Sequence, residues 1–154
     1  MSGSLVQALI AHFDSVFEGP NGDYSAVLEA LTGVSVTQAL WKPLPQQNSI
    51  WQIVEHLIAS KEWQIDMLKQ GKATSPVWIE PSGDEVEWQA TLGRLKDAHH
   101  RLKVALEQVP EDELLARPVP ESNQTLLELL LSSGPAHEAH HGGQIDYLKG
   151  LQAR

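Results

Sequence analysis

The sequence predicts an all-α protein, a four-helix bundle in a single domain spanning 1–154. Three observations carry this reading. Apolar residues recur every three or four positions in four separate stretches. Two of the stretches open on a capping box, Ser49-Ile50-Trp51-Gln52 and Thr125-Leu126-Leu127-Glu128. No run alternates apolar and polar residues convincingly enough for a strand, and no internal repeat or low-complexity tract interrupts the pattern.

The first helix is expected over Leu5 to Phe17, where Leu5, Leu9, Phe13 and Val16 keep helical spacing and His12 falls near the stripe. Gly19-Pro20-Asn21-Gly22-Asp23 breaks it. Helix resumes over about Ser25 to Leu31 and stops at Gly33. Val34 to Gln47, with Pro43 and Pro45, reads as a connection. The second long helix starts after Ser49, runs to Gln70 and ends on Gly71. Ile50, Ile53, Val54, Leu57 and Leu68 mark its buried face, and His56 sits at the edge of that face, about 60° from Ile53.

Ala73 to Gly83 is a loop rich in proline and glycine. The third long helix is expected over Val86 to Gln108, its stripe made by Trp88, Leu92, Leu95, His99, Leu102, Leu106 and Val109, with Pro110 as its stop. Pro118 and Pro120 punctuate the next connection. The fourth long helix runs from Thr125 to about Lys149. Gly134-Pro135 lies inside it and predicts a kink or short break just before His137.

Composition narrows the function classes. The 154-residue chain carries 20 acids against 11 bases, net charge −9, which argues against a nucleic-acid partner. It contains no cysteine, so disulfides, thiolate metal sites and cysteine nucleophiles drop out, and a cytoplasmic setting is expected. Met1-Ser2-Gly3-Ser4-Leu5 does not read as a signal peptide, and no apolar stretch approaches the ~20 residues of a membrane span.

The chemistry concentrates in His137-Glu138-Ala139-His140-His141. His137 and His141 stand one turn apart, about 6 Å of rise, on one helix face, and offer two neutral nitrogen donors to a transition metal. His140 leaves the helix about 100° from His141 and cannot join them. A catalytic metal site usually takes three protein ligands. Two sources suggest themselves. The stretch matches the H-E-x-x-H zinc-protease pattern, with Glu138 as general base, but no glutamate or histidine follows His141, and a helical fold offers no strand edge for a peptide. The alternative is an upstream histidine, for which His56 is the best candidate.

Ser49-Ile50-Trp51-Gln52-Ile53-Val54-Glu55-His56-Leu57, followed by His137-x-x-x-His141-x-Gly143-Gln144-Ile145, resembles the DinB-like (DinB/YfiT) superfamily of metal-binding bundle proteins. The likeness extends to the Gly19-Pro20 loop, the Leu31-Thr32-Gly33-Val34 turn and the Trp41-Lys42-Pro43 connection. It implies an up-down-down-up bundle, a metal triad of His56, His137 and His141, zinc or nickel as cofactor, and a homodimer. It also implies a transferase that joins a low-molecular-weight thiol to a small electrophilic substrate. A hydrolase on the same three histidines and a non-catalytic metal-binding module are the other readings. His140 departs from the family, where an aromatic residue is frequent.

Gln144, one turn beyond His141, can hydrogen-bond near the site or pack the helix end. His12 and His99 are read as core histidines, His100 as solvent-facing and Glu138 as a solvated helical acid. Among Trp41, Trp51, Trp63, Trp78 and Trp88, expected in core or interface, Trp63 is the one placed near a pocket.

Overall fold

Each long helix begins where the sequence supplies an acceptor for its first free N–H groups. The computed structural model describes residues 4–116, 119 and 122–153; the expected punctuation at Pro118 and Pro120 lies outside them. Ser4 accepts from the Gln7 N–H at 3.2 Å and opens α1, Leu5–Phe17. Ser49 and Gln52 cap each other reciprocally at 3.2 and 2.9 Å and open α4, Ile50–Gln70. Gly71 ends α4 with φ 71°, a left-handed conformation that residues with a Cβ adopt at a cost. Asp84 accepts from the Val86 and Glu87 N–H groups and opens α5, Glu85–Glu107. Thr125 does the same for α7, Leu126–Leu131.

The short elements are less legible. α2, Val27–Leu31, lies within the expected range. α3, Val36–Leu40, occupies part of what reads as a plain connection; its Ser35–Gln38 capping box is the same signal as at Ser49, but five residues are too few to show a period. α6, Glu111–Ala116, follows Pro110, and its buried Leu114 anchors it to the core.

The last long helix is continuous, with no break at Gly134-Pro135. A π-helical segment, Ser132–Ala136, carries Pro135 and leads directly into α8, His137–Gln152. Proline has no N–H to give and its ring crowds the carbonyl four residues back, so a widened turn absorbs it without ending the helix. No strand forms among the described residues.

The apolar core lies in two parts. One gathers Phe17, Ile50, Trp51, Trp88, Leu95 and Ile145; the other gathers Phe13, Ile65, Leu102, Leu106, Leu126 and Leu130. α1 and the α7–α8 helix pass from the second part to the first, and α4 and α5 pass from the first to the second. Ion pairs agree with this sense. Glu55 meets Arg94 and Glu62 meets Arg101, both partners advancing together, so α4 and α5 run parallel. Between the two parts the same helices carry buried polar groups: Lys61 and Gln64 on α4, His99 on α5 and Glu138 on α8, with Asp14 of α1 half-buried beside them.

Gly134 is where α1 and the π segment touch. A Cβ there would come within 2.4 Å of two atoms of the Phe13 ring, which is fully buried. Gly134→Ala is therefore expected to destabilise the fold by about 1–3 kcal/mol, the range for overpacking a core. A thermal melt checks this, and Phe13→Leu in the Gly134→Ala background should recover part of the loss.

Candidate metal centre

The capped start of α4 sets the rotation of that helix, and with it the direction of His56. The π segment sets the rotation of α8. His56 Nε2 lies 3.1 Å from His137 Nε2, which lies 3.0 Å from His141 Nε2. Ligand atoms of all three rings fall within 4.8 Å of one another. His137 Nε2 carries at most one hydrogen, so it cannot donate a full hydrogen bond to both of its neighbours at once. Two metal–nitrogen bonds of about 2.1 Å meeting at a right angle place their nitrogens about 3.0 Å apart. The donor set therefore fits a first-row divalent cation.

The electrostatics keep the lone pairs free. Burial holds His137 and His141 down at about 4, helped at His137 by the neighbouring imidazoles and Lys61. Burial also lowers His56. All three rings are neutral at pH 7. Gln144 Oε1 accepts from His141 Nδ1 at 2.7 Å, which fixes the ring proton on Nδ1 and leaves Nε2 as the donor atom. Gln144 in turn reaches His140 Nε2 at 3.1 Å, so His140 stands outside the triad, as its direction on the helix predicts.

Trp78, from the loop between α4 and α5, stacks on His56 with ring centres 4.1 Å apart and planes 7° from parallel. Glu80 anchors that loop, accepting from Lys42 at 2.8 Å and from Gln52 at 2.9 Å. The same Gln52 caps α4, so helix start and loop are tied by one side chain. Beside the triad opens a cleft of about 250 Å³, lined by His56, His137, Ser60, Trp63, Gln64, Ser75, Pro76 and Ser133. Trp63 is thus at a pocket, as expected. Trp51 and Trp88 are core, whereas Trp41 and Trp78 are exposed.

Two expectations are overturned. Glu138 is no solvated acid: it is 1% exposed, and its carboxylate meets the ammonium of Lys61, which is 0% exposed. One residue along the helix from His137 turns it about 100° into the core, away from the triad. The H-E-x-x-H reading fails for this reason, since its general base is bonded to Lys61. His12 is the second: it is exposed on α1 and lines nothing. His99 is a core histidine, as expected, stacked on Phe17 and held by Asp14 at 2.8 Å and Lys61 at 3.1 Å; His100 is exposed.

Lys61 and Gln64 carry no expectation from the sequence, and Trp78, expected in core or interface, is exposed and lies on His56. Leu57, Lys61, Gln64 and Leu68 follow the 4-3-4 spacing of a buried stripe, so polar residues at stripe positions were the available signal. Asp14, Glu18 and His99 also lie close enough to share a cation. Asp14 is engaged by Lys103 and His99, and the Lys61 ammonium beside His99 opposes a second positive charge there.

Burial and the Lys61 charge hold His99 at about 4. In the unfolded chain it titrates near 6.5, so the unfolded state takes the proton first as pH falls. Its contribution to stability should be intact above about pH 6.5 and lost progressively down to about pH 4. Denaturation midpoints across that range, compared between wild type and His99→Gln, check the sign. For the triad, Gln144→Ala should weaken metal binding roughly 10- to 100-fold, the usual effect of removing a ligand's hydrogen-bond partner. A competition titration against a chelator measures it.

No curated protein and no solved structure matches the chain. The family model for the DinB superfamily matches residues 22–145, which takes in all three triad histidines and the cleft. With most of its length matched and its helices arranged around those histidines, the chain belongs to the DinB superfamily.

Proposed function

We propose that His56, His137 and His141 hold one divalent cation, zinc or nickel, and that the protein is a metal-dependent transferase joining a low-molecular-weight thiol to a small electrophile. The observation that carries this is the convergence of three neutral Nε2 atoms beside a cleft of about 250 Å³. A cation so placed supplies Lewis acidity, which lowers the pKa of a thiol or water that reaches it. Gln144 holds the His141 ring in its donating tautomer, and Trp78 shields the outer face of His56.

The cleft walls favour the thiol. None of the residues lining it is a carboxylate or a lysine, and Glu138 is turned into the core. Attack by water is commonly assisted by a protein base. A thiol, with a free pKa near 8–9, needs far less help to lose its proton. A homodimer in a cytoplasmic setting belongs to the same proposal. Among the described residues, no helix is long and apolar enough to cross a membrane.

Protein purified without a metal-affinity tag should contain close to one equivalent of metal by elemental analysis. At a thousandfold excess over Kd, a bound cation stabilises the fold by about 4 kcal/mol, a rise in Tm on the order of 10 °C. His56→Ala, His137→Ala and His141→Ala should each lose most of that rise, and His140→Ala should keep it. The loaded wild type should also accelerate thioether formation from cysteamine and 1-chloro-2,4-dinitrobenzene, with release of chloride. A triad variant that retains the metal shift, or a loaded wild type that conjugates no thiol, would contradict the proposal.

A further inference from the structure

The cleft has a second polar feature besides the triad histidines. Gln64 is 1% exposed and lines the cleft. Its Nε2 donates to the Ser133 carbonyl at 2.6 Å. That bond fixes the amide, because the flipped orientation would set oxygen against oxygen. The remaining atom, Oε1, is buried and has no partner. A buried carbonyl oxygen without a donor costs about 1–3 kcal/mol, so such atoms are normally satisfied by something.

The neighbouring hydroxyls have already spent their hydrogens. Ser60 donates to the His56 carbonyl at 2.8 Å, and Ser133 donates to the Leu129 carbonyl at 2.7 Å. These two hydroxyls therefore have no hydrogen to give the Gln64 oxygen. No lysine or arginine lines the cleft to attract an anion. Ser133 lies one turn before His137, roughly 6 Å of helical rise. Gln64, bonded to the Ser133 carbonyl, is thus tied to a backbone position one turn from a triad histidine.

We propose that Gln64 is a specificity-determining residue, its Oε1 accepting from an ammonium or amide N–H that the ligand carries two or three bonds from its reactive atom. The inference rests on the metal-site reading for the position of the reactive atom, and on the cleft alone for the donor. It selects against ligands that present a carboxylate or a bare alkyl group at that end.

Two experiments separate the parts. Calorimetry on zinc-loaded protein compares cysteamine and N-acetylcysteamine, which carry the N–H, with 3-mercaptopropionate and propanethiol, which do not. The N–H thiols should bind about tenfold more tightly, the worth of one hydrogen bond of about 1.4 kcal/mol. Gln64→Met keeps the volume and removes the acceptor. It should narrow the difference to within about twofold while leaving the metal-induced rise in Tm unchanged. In the metal-free protein, millimolar propylammonium should shift the Gln64 side-chain amide signals in a nitrogen–proton spectrum, and propionate should not.

A preference that survives in Gln64→Met, no preference in wild type, or tightest binding of 3-mercaptopropionate would overturn the assignment. If loaded protein binds no thiol but propylammonium still shifts Gln64, the thiol reading falls and the acceptor subsite stands. If the metal-free spectrum does not distinguish propylammonium from propionate, the subsite falls whatever the metal does.

Discussion

The contact between Lys61 and Glu138 governs how the rest of the molecule is arranged. Both side chains are buried, one on α4 and one on α8, between the two apolar parts of the core. Burial pushes the Lys61 ammonium down and the Glu138 carboxyl up, and their mutual attraction pulls each back. Neither could stay in the interior without the other, because a lone buried charge costs several kcal/mol. His99 and Asp14 extend the contact to α5 and α1, so one polar layer touches all four long helices. An apolar core tolerates sliding and rotation of its helices; a layer of this kind fixes their register.

That constraint reaches the histidines through helical geometry. With Glu138 drawn inward, His137 must project about 100° around α8, and His141 follows it one turn on. Both then face His56 on the neighbouring helix. The π segment carrying Pro135 is the second half of the device, since it sets the phase between α7, which is placed by its apolar residues, and α8, which is placed by Glu138. The triad is thus positioned by groups that do not belong to it.

Desolvation serves the site in an unusual way for histidines. Burial lowers the basicity of the triad rings toward protons, which keeps their nitrogens unprotonated. A divalent cation brings more charge than a proton and takes three nitrogens at once, so the same environment that repels protons leaves a donor set suited to a metal. The cleft beside it is bounded by the side chains of α4, the π segment, His137 of α8 and a loop tied down at Glu80. All but the loop are helical, which holds the cleft's polar groups at fixed positions relative to the triad.

The sequence by itself determined what local chemistry can specify. The four long helices, the caps at Ser49 and Thr125, the stop at Gly71, the irregularity at Pro135, and the side-by-side placing of His137 and His141 all follow from residues within a turn or two of one another. His56 at the edge of an apolar face was legible for the same reason and made it the best candidate for a third ligand, and the family resemblance joined it to the other two. Tertiary structure alone decided the partnerships. Lys61 and Glu138 stand 77 positions apart, and nothing near either announces the pair. Glu138 therefore read as solvated, His12 read as buried, and Trp78 gave no sign of lying over His56. A helical period states which face a residue occupies. It does not state what the opposing helix places against that face, and in this protein that opposing surface decides which acid is buried, which histidines converge and which amide is left with an unbonded oxygen.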